Sequence, residues 1–87
     1  MKTFKDLKFN THPNEPYMSQ QAQMGFDNGF GISVVNGRGA YCDDETYEIA
    51  VLKDGEITYD THITNDVIGY LSPQEITEIM KDIQELT

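Results

Sequence analysis

Tryptophan is absent, cysteine occurs once, and cations are scarce, with six Lys and Arg against fifteen Asp and Glu. The lone Cys42 excludes an intramolecular disulfide and a cysteine-rich zinc site, and it fits a reducing compartment. No apolar run approaches the ~18 residues of a membrane span, and no signal-peptide pattern opens the chain. The expected location is therefore cytoplasmic. The shortage of positive charge argues against direct binding of DNA or RNA, because affinity for a phosphate backbone comes chiefly from cations that displace counterions. Core-building residues are few as well. Leu, Ile, Val and Phe make up about 23% of the 87 residues, a little above the ~20% below which a highly charged chain is expected to be disordered. One small domain with a thin core follows, and self-association, here a homodimer, is a common remedy for such chains.

What is abundant is negative charge, and it is unevenly spread. Residues 1–42 carry Lys2, Lys5, Lys8 and Arg38 against Asp6, Glu15 and Asp27, a balance of +1. Residues 43–87 carry twelve acids against Lys53 and Lys81, a balance of -10.

Residues 1–19 read as an amino-terminal arm and residues 20–87 as a single domain. Phe4, Leu7 and Phe9 are the arm's apolar anchors, and His12-Pro13-Asn14-Glu15-Pro16 is a loop, since two prolines remove amide donors and restrict their neighbours. From Gln20 the apolar period becomes two. A three-residue Asp27-Asn28-Gly29 loop sets Phe26 opposite Phe30, Met24 opposite Ile32 and Ala22 opposite Val34. A two-residue loop would put these two apolar sets on opposite faces, and a one-residue slip flips every side chain. Gly29 then falls at the left-handed position of such a loop. In the second half Tyr47, Ile49 and Val51 share a face. A Lys53–Gly55 loop pairs Val51 with Ile57 and Ile49 with Tyr59. The alternative, a two-residue Asp54-Gly55 turn, pairs Leu52 with Ile57 and sets Lys53 facing Glu56. The first is preferred. Between the hairpins lie eleven residues, Asn36 to Thr46, either a binding loop or a tolerated surface excursion.

The carboxy-terminal helix has the clearest local signature. Ser72-Pro73-Gln74-Glu75 reads as N-cap, proline at the first helical position and a capping-box glutamate. Leu71 and Ile76 are placed to form a hydrophobic staple. Ile76, Ile79, Met80, Ile83 and Leu86 recur at the spacing of a core-facing stripe. Just before it, Thr64 to Tyr70 reads as a short capped turn ended by Gly69. The architecture that accommodates these elements is α+β: a four-stranded antiparallel β-meander of two hairpins with one C-terminal α-helix packed on a sheet face. The other sheet face, with Ala50 and Leu52 beside Gln21, Gln23, Ser33 and Thr58, is only mildly polar.

Four carboxylates, Glu75, Glu78, Asp82 and Glu85, fall on one helical face, roughly opposite the apolar one. With Asp43, Asp44 and Glu45 they form candidate partner-binding positions for a basic protein surface; the simpler reading is the solvated side of an amphipathic helix. Uncompensated like charges cost stability, and long-range attraction to a cationic partner is a physical return on that cost. Arg38 and Tyr41 in the glycine loop are hot-spot residue types, although a lone arginine among glycines is ordinarily just exposed. Asn36-Gly37-Arg38-Gly39 lacks P-loop spacing and precedes no helix. Metal ligation by Asp43, Asp44, Glu45 and Glu48, or by Asp60, His62 and Asp66, matches no calcium-loop spacing. His12, His62, Cys42 and Ser33 do not assemble a nucleophile, base and orienter. The expectation is a protein that is not an enzyme, with no metal and no cofactor.

Three blocks, Asn28-Gly29-Phe30-Gly31-Ile32-Ser33-Val34-Val35, Tyr47 to Leu52, and Tyr59 to Leu71, resemble small uncharacterised accessory proteins of tailed phages over most of residues 4–86. The resemblance implies a phage origin and carries over no catalytic residue. By analogy with small phage proteins that occlude host machinery, it points to an inhibitor or modulator of a host protein or nucleoprotein, of an anti-defence or anti-CRISPR-like kind. The alternative is a phage structural or assembly component that oligomerises through its sheet.

Overall fold

Two tight turns ending in glycine set the register of the sheet. In this computed structural model residues 1–11, 19–37, 46–58 and 68–86 are described. Strand β2 (Ser19–Gly25) pairs antiparallel with β3 (Phe30–Gly37) in the expected register, Ala22 opposite Val34 and Met24 opposite Ile32. The Phe26 amide donates to the Phe30 carbonyl at 2.7 Å, the Gly29 amide donates to Phe26 O, and Gly29 has φ +87°. A side chain at that φ would be strained, so the glycine is what lets the three-residue loop close.

The second turn corrects the expected register. Between β4 (Tyr47–Lys53) and β5 (Glu56–Ile57), Leu52 faces Ile57 and Lys53 faces Glu56. The loop is therefore the two-residue Asp54-Gly55, with φ of +53° and +87°. Two consecutive left-handed residues match the right-handed twist of the flanking strands, and Asp-Gly is a favoured pair for that turn. Strand β5 has only two residues, so within it Ile57 is the one apolar side chain that opposes this turn chemistry. Ile57 consequently leaves the core face and is 51% exposed. The expected partner of Ile49, Tyr59, lies outside the described residues.

A second correction concerns Gly69. It does not end a turn but lies inside β6 (Ile68–Leu71), which pairs antiparallel with β4, Tyr47 opposite Leu71 and Ile49 opposite Ile68. Between those pairs β6 has two residues and β4 only Glu48, a bulge that places Tyr70 at φ +57°. Residues 64–67 of the expected turn lie outside the described residues. At the other edge, β1 (Asn10–Thr11) adds to β2. Among the described residues the sheet thus has six strands in the order β1-β2-β3-β4-β5, with β6 also on β4. The α+β arrangement expected from the sequence holds, with two short strands beyond the four-stranded meander.

Helix α1 (Pro73–Gln84) covers one sheet face. Its Ile76, Met80 and Ile83 are fully buried with Ala22, Ile32, Val34, Ile49 and Val51 of the sheet, and with Leu7 and Leu71. Truncating a core isoleucine of this kind costs about 2–5 kcal/mol. Both residues of the expected staple, Leu71 and Ile76, belong to this core. The amino-terminal anchors pack as expected. After a 3-10 turn over Phe4–Asp6, the rings of Phe4, Phe9 and Tyr47 meet with centroids 5.2–5.8 Å apart. On the opposite sheet face Ser33, Ala50 and Leu52 are buried rather than open, and Gln21 Nε2 donates to Ser33 Oγ at 3.2 Å. No helix among the described residues is long and apolar enough to cross a membrane.

Candidate acidic interface

The first turn of α1 carries the first of the four carboxylates. The Ser72 amide donates to Glu75 Oε1 at 3.0 Å, and the Glu75 amide donates to Ser72 Oγ at 3.2 Å. This reciprocal box satisfies two amides that have no partner within the helix. The Ser72 backbone amide, and after it the Ser72 hydroxyl, holds the Glu75 carboxyl below its usual range. Glu75 therefore has a structural role that accounts for its presence without any partner.

Glu78, Asp82 and Glu85 have no such role. All three are exposed, and among the described residues no ion pair neutralises them. At about 100° per residue, the four acids centre about 120° from the middle of the Ile76, Ile79, Met80, Ile83 and Leu86 stripe. By this spacing they occupy a flank beside Ile79 and Leu86, about 60° short of the point directly opposite the core. The outermost positions belong to Gln74 and Lys81, both exposed.

The opposite flank is occupied by the amino-terminal segment. The Phe4 amide donates to Thr77 Oγ1 at 3.2 Å. The Lys2 amide donates to Gln84 Oε1 at 2.9 Å, and Gln84 Nε2 returns a bond to Lys2 O at 2.8 Å and another to Met80 O. These bonds fix the backbone bearing Lys2 and Lys5 on the side of the helix away from the carboxylates. Lys2, Lys5 and Lys8 are exposed. Lys2 and Lys5 thus lie on the flank away from the four carboxylates, with Asp6 beside them, and Lys81 is the sole cation inside α1.

The other sequence-derived candidates cannot be joined to this surface. Asp43, Asp44, Glu45, Arg38 and Tyr41 lie outside the described residues, as do Cys42, His12, Asp60, His62 and Asp66. The base of their loop is described: Asn36 Nδ2 donates to Thr46 O at 2.8 Å, closing the ends of β3 and β4 on each other. Among the described residues no group of three or more His, Cys, Asp or Glu side chains could hold a metal ion.

Two features escaped the sequence reading. Asn28 Nδ2 donates to Ile83 O at 2.8 Å and to Leu86 O at 3.0 Å, tying the first hairpin turn to the end of α1. No local signal announces a contact 55 residues away. Tyr70, 61% exposed, keeps a left-handed backbone at the start of the helix connection; its only sequence trace was a tyrosine next to a glycine. Comparison with protein-family models, with curated proteins and with solved structures finds no match to this chain.

Proposed function

We propose that the chain is a small, acidic, non-enzymatic binding protein that engages a basic surface of a protein partner through the carboxylate flank of α1, together with Asp43, Asp44 and Glu45. The reading is carried by one observation: Glu78, Asp82 and Glu85 stand exposed on one flank while the amino-terminal lysines are held on the other. Ordinary surfaces mix both signs. Keeping like charges together is unfavourable within the fold and favourable toward a cation. The resemblance to phage accessory proteins extends the proposal to a phage-encoded inhibitor or modulator of a host protein or nucleoprotein, of an anti-defence kind, acting in the host cytoplasm.

The test is capture of bacterial proteins on the immobilised chain, eluted by increasing salt. A specific partner should elute as ionic strength rises, because charges separated by more than about 8–10 Å are largely screened at physiological salt and above. Replacing Glu78, Asp82 and Glu85 together by Lys should abolish capture and leave the thermal midpoint nearly unchanged, since all three are exposed. Capture that ignores both salt and charge reversal would leave the flank a solubility device. A large ring or filament in light scattering would favour the assembly reading instead.

A further inference from the structure

Strand β2 is open along part of its outer edge. In an antiparallel pair, bonded and non-bonded residues alternate. The Phe26–Phe30 bond therefore makes Met24 and Ala22 the next residues bonded to β3, and the main-chain groups of Gln21, Gln23 and Gly25 point away from it. Strand β1 pairs with Gln21. Gln23 and Gly25 continue the same row, both exposed, and among the described residues nothing takes their outward amides and carbonyls. Such edges are ordinarily protected by charge or proline. Ser19–Gly25 contains neither.

The space beside this edge is shaped. A cavity of about 490 Å³ lies between the Gly25–Asn28 end of the hairpin and Met1, Lys2 and Gln84. A second, of about 320 Å³, is lined by Gln23, Gly25, Gly31 and Leu52, which share the sheet face away from α1. Gly25 and Gly31 leave this trench bare of side chains across two strands. Gly31 has an internal reason, since a Cβ there would meet the Met24 carbonyl oxygen at 2.5 Å. Gly25 has none: a Cβ meets nothing within 4 Å, and its φ is not left-handed. At the turn end of the trench stands Asp54, whose Oδ1 lies 3.6 Å from where a Gly29 Cβ would sit. Its carboxylate is exposed and has no hydrogen bond or ion pair among the described residues. An apolar trench that ends on an unpaired carboxylate complements a long cationic side chain, with its methylenes against Leu52 and its charged head on Asp54.

We propose that the Gln23–Gly25 edge accepts an extended peptide as an added antiparallel strand, continuing the row begun by β1, and that an arginine of this peptide lies opposite Gly25 and reaches along the trench to Asp54. This surface is on the face away from α1 and does not depend on the reading of its carboxylate flank. The probe is the end-blocked pentapeptide Thr-Val-Arg-Val-Thr, titrated into the intact chain and followed by NMR and amide exchange. The Gln23 and Gly25 amides should shift saturably and gain protection. The central arginine exchanges both main-chain bonds with Gly25, while the valine amides face outward. N-methylation of the arginine should therefore abolish binding, and N-methylation of either valine should leave it intact. Exchanging the peptide arginine for glutamine, or Asp54→Asn in the chain, should each weaken binding about two- to fivefold, the range of one exposed ion pair. The two losses should not add, because they remove one contact. Asn-Gly retains the turn, so Asp54→Asn should keep the thermal midpoint. Unmoved Gln23 and Gly25 amides, or binding that tolerates the N-methylated arginine, would overturn the added strand. Affinity indifferent to both charge replacements would overturn the pairing with Asp54. A dimer of the chain alone in light scattering, with these two amides already protected, would assign the edge to a second copy and overturn the proposal as well.

Discussion

The side-chain amide of Asn28 donates to the main-chain carbonyl of Ile83 at 2.8 Å, so a hairpin turn supplies the cap for a helix that begins 45 residues later. The same amide nitrogen reaches Leu86 O, and Asn28 Oδ1 accepts from the Phe30 amide at 3.1 Å. One side chain thereby orders the β2–β3 turn and bonds two carbonyls at the end of α1, sharing Ile83 O with the Leu86 amide. The Glu85 and Leu86 amides close the last turn onto Lys81, Asp82 and Ile83 carbonyls.

Removing that side chain should be costly. Asn28→Ala is expected to lose about 1–3 kcal/mol of unfolding free energy, the range for leaving partly buried polar groups unsatisfied. Asn28→Asp should be no better, because it keeps the acceptor for Phe30 but turns a carboxylate toward carbonyl oxygens at the negative end of the helix. Urea denaturation of both variants checks this, and an Asp variant as stable as the original chain would refute it.

Gly31 and Gly25 face each other across β2 and β3 but should respond oppositely to alanine. A Cβ on Gly31 would lie 2.5 Å from the Met24 carbonyl oxygen and 3.2 Å from the Gly25 Cα, both backbone atoms that cannot move without disturbing the ladder. A Cβ on Gly25 meets nothing within 4 Å. Gly31→Ala should destabilise by about 1–3 kcal/mol, the usual cost of overpacking. Gly25→Ala should be neutral or slightly stabilising, since alanine loses less backbone entropy on folding. Thermal denaturation of the pair reads the difference directly.

Acid should weaken the helix start. The Glu75 carboxyl lies lower in the folded chain than its ordinary value of 4.5, so the unfolded chain binds the proton first as pH falls. Its stabilising contribution is therefore complete above the ordinary value and is lost as pH drops through the lowered folded one. The thermal midpoint of the original chain should exceed that of Glu75→Gln at neutral pH, and the gap should narrow at pH below about 4.5. A gap that is constant across this range would mean the ionised form has no advantage at the cap.

The helix and the first hairpin were legible because several independent signals agreed on each. Ser72, Pro73, Glu75 and the Ile76–Leu86 stripe all specify one start and one face. In the first hairpin three apolar pairs outvote any other register. The second hairpin had two apolar residues, Ile57 and Tyr59, against a strong turn pair, and at Ile57 the turn prevailed. Strand β1 is Asn-Thr, too short to display a period. Strand β6 hides behind Gly69, which in sequence resembles a stop but in the fold lies inside the strand, beside the bulged Tyr70. Of the candidate interface, the acidic flank of α1 was readable from its spacing, whereas the amino-terminal segment on the other flank was not, because the Lys2–Gln84 and Phe4–Thr77 bonds join opposite ends of the chain.

The pairing of Lys2 with Gln84 joins positions 82 residues apart, and α1 follows every strand in chain order. On the ribosome, the sheet must consequently emerge with its apolar face bare, and Ile32, Val34, Ile49 and Val51 wait for a lid that is translated after them. A nascent chain stalled before Pro73 would be a sticky half-fold and a natural client for holding chaperones.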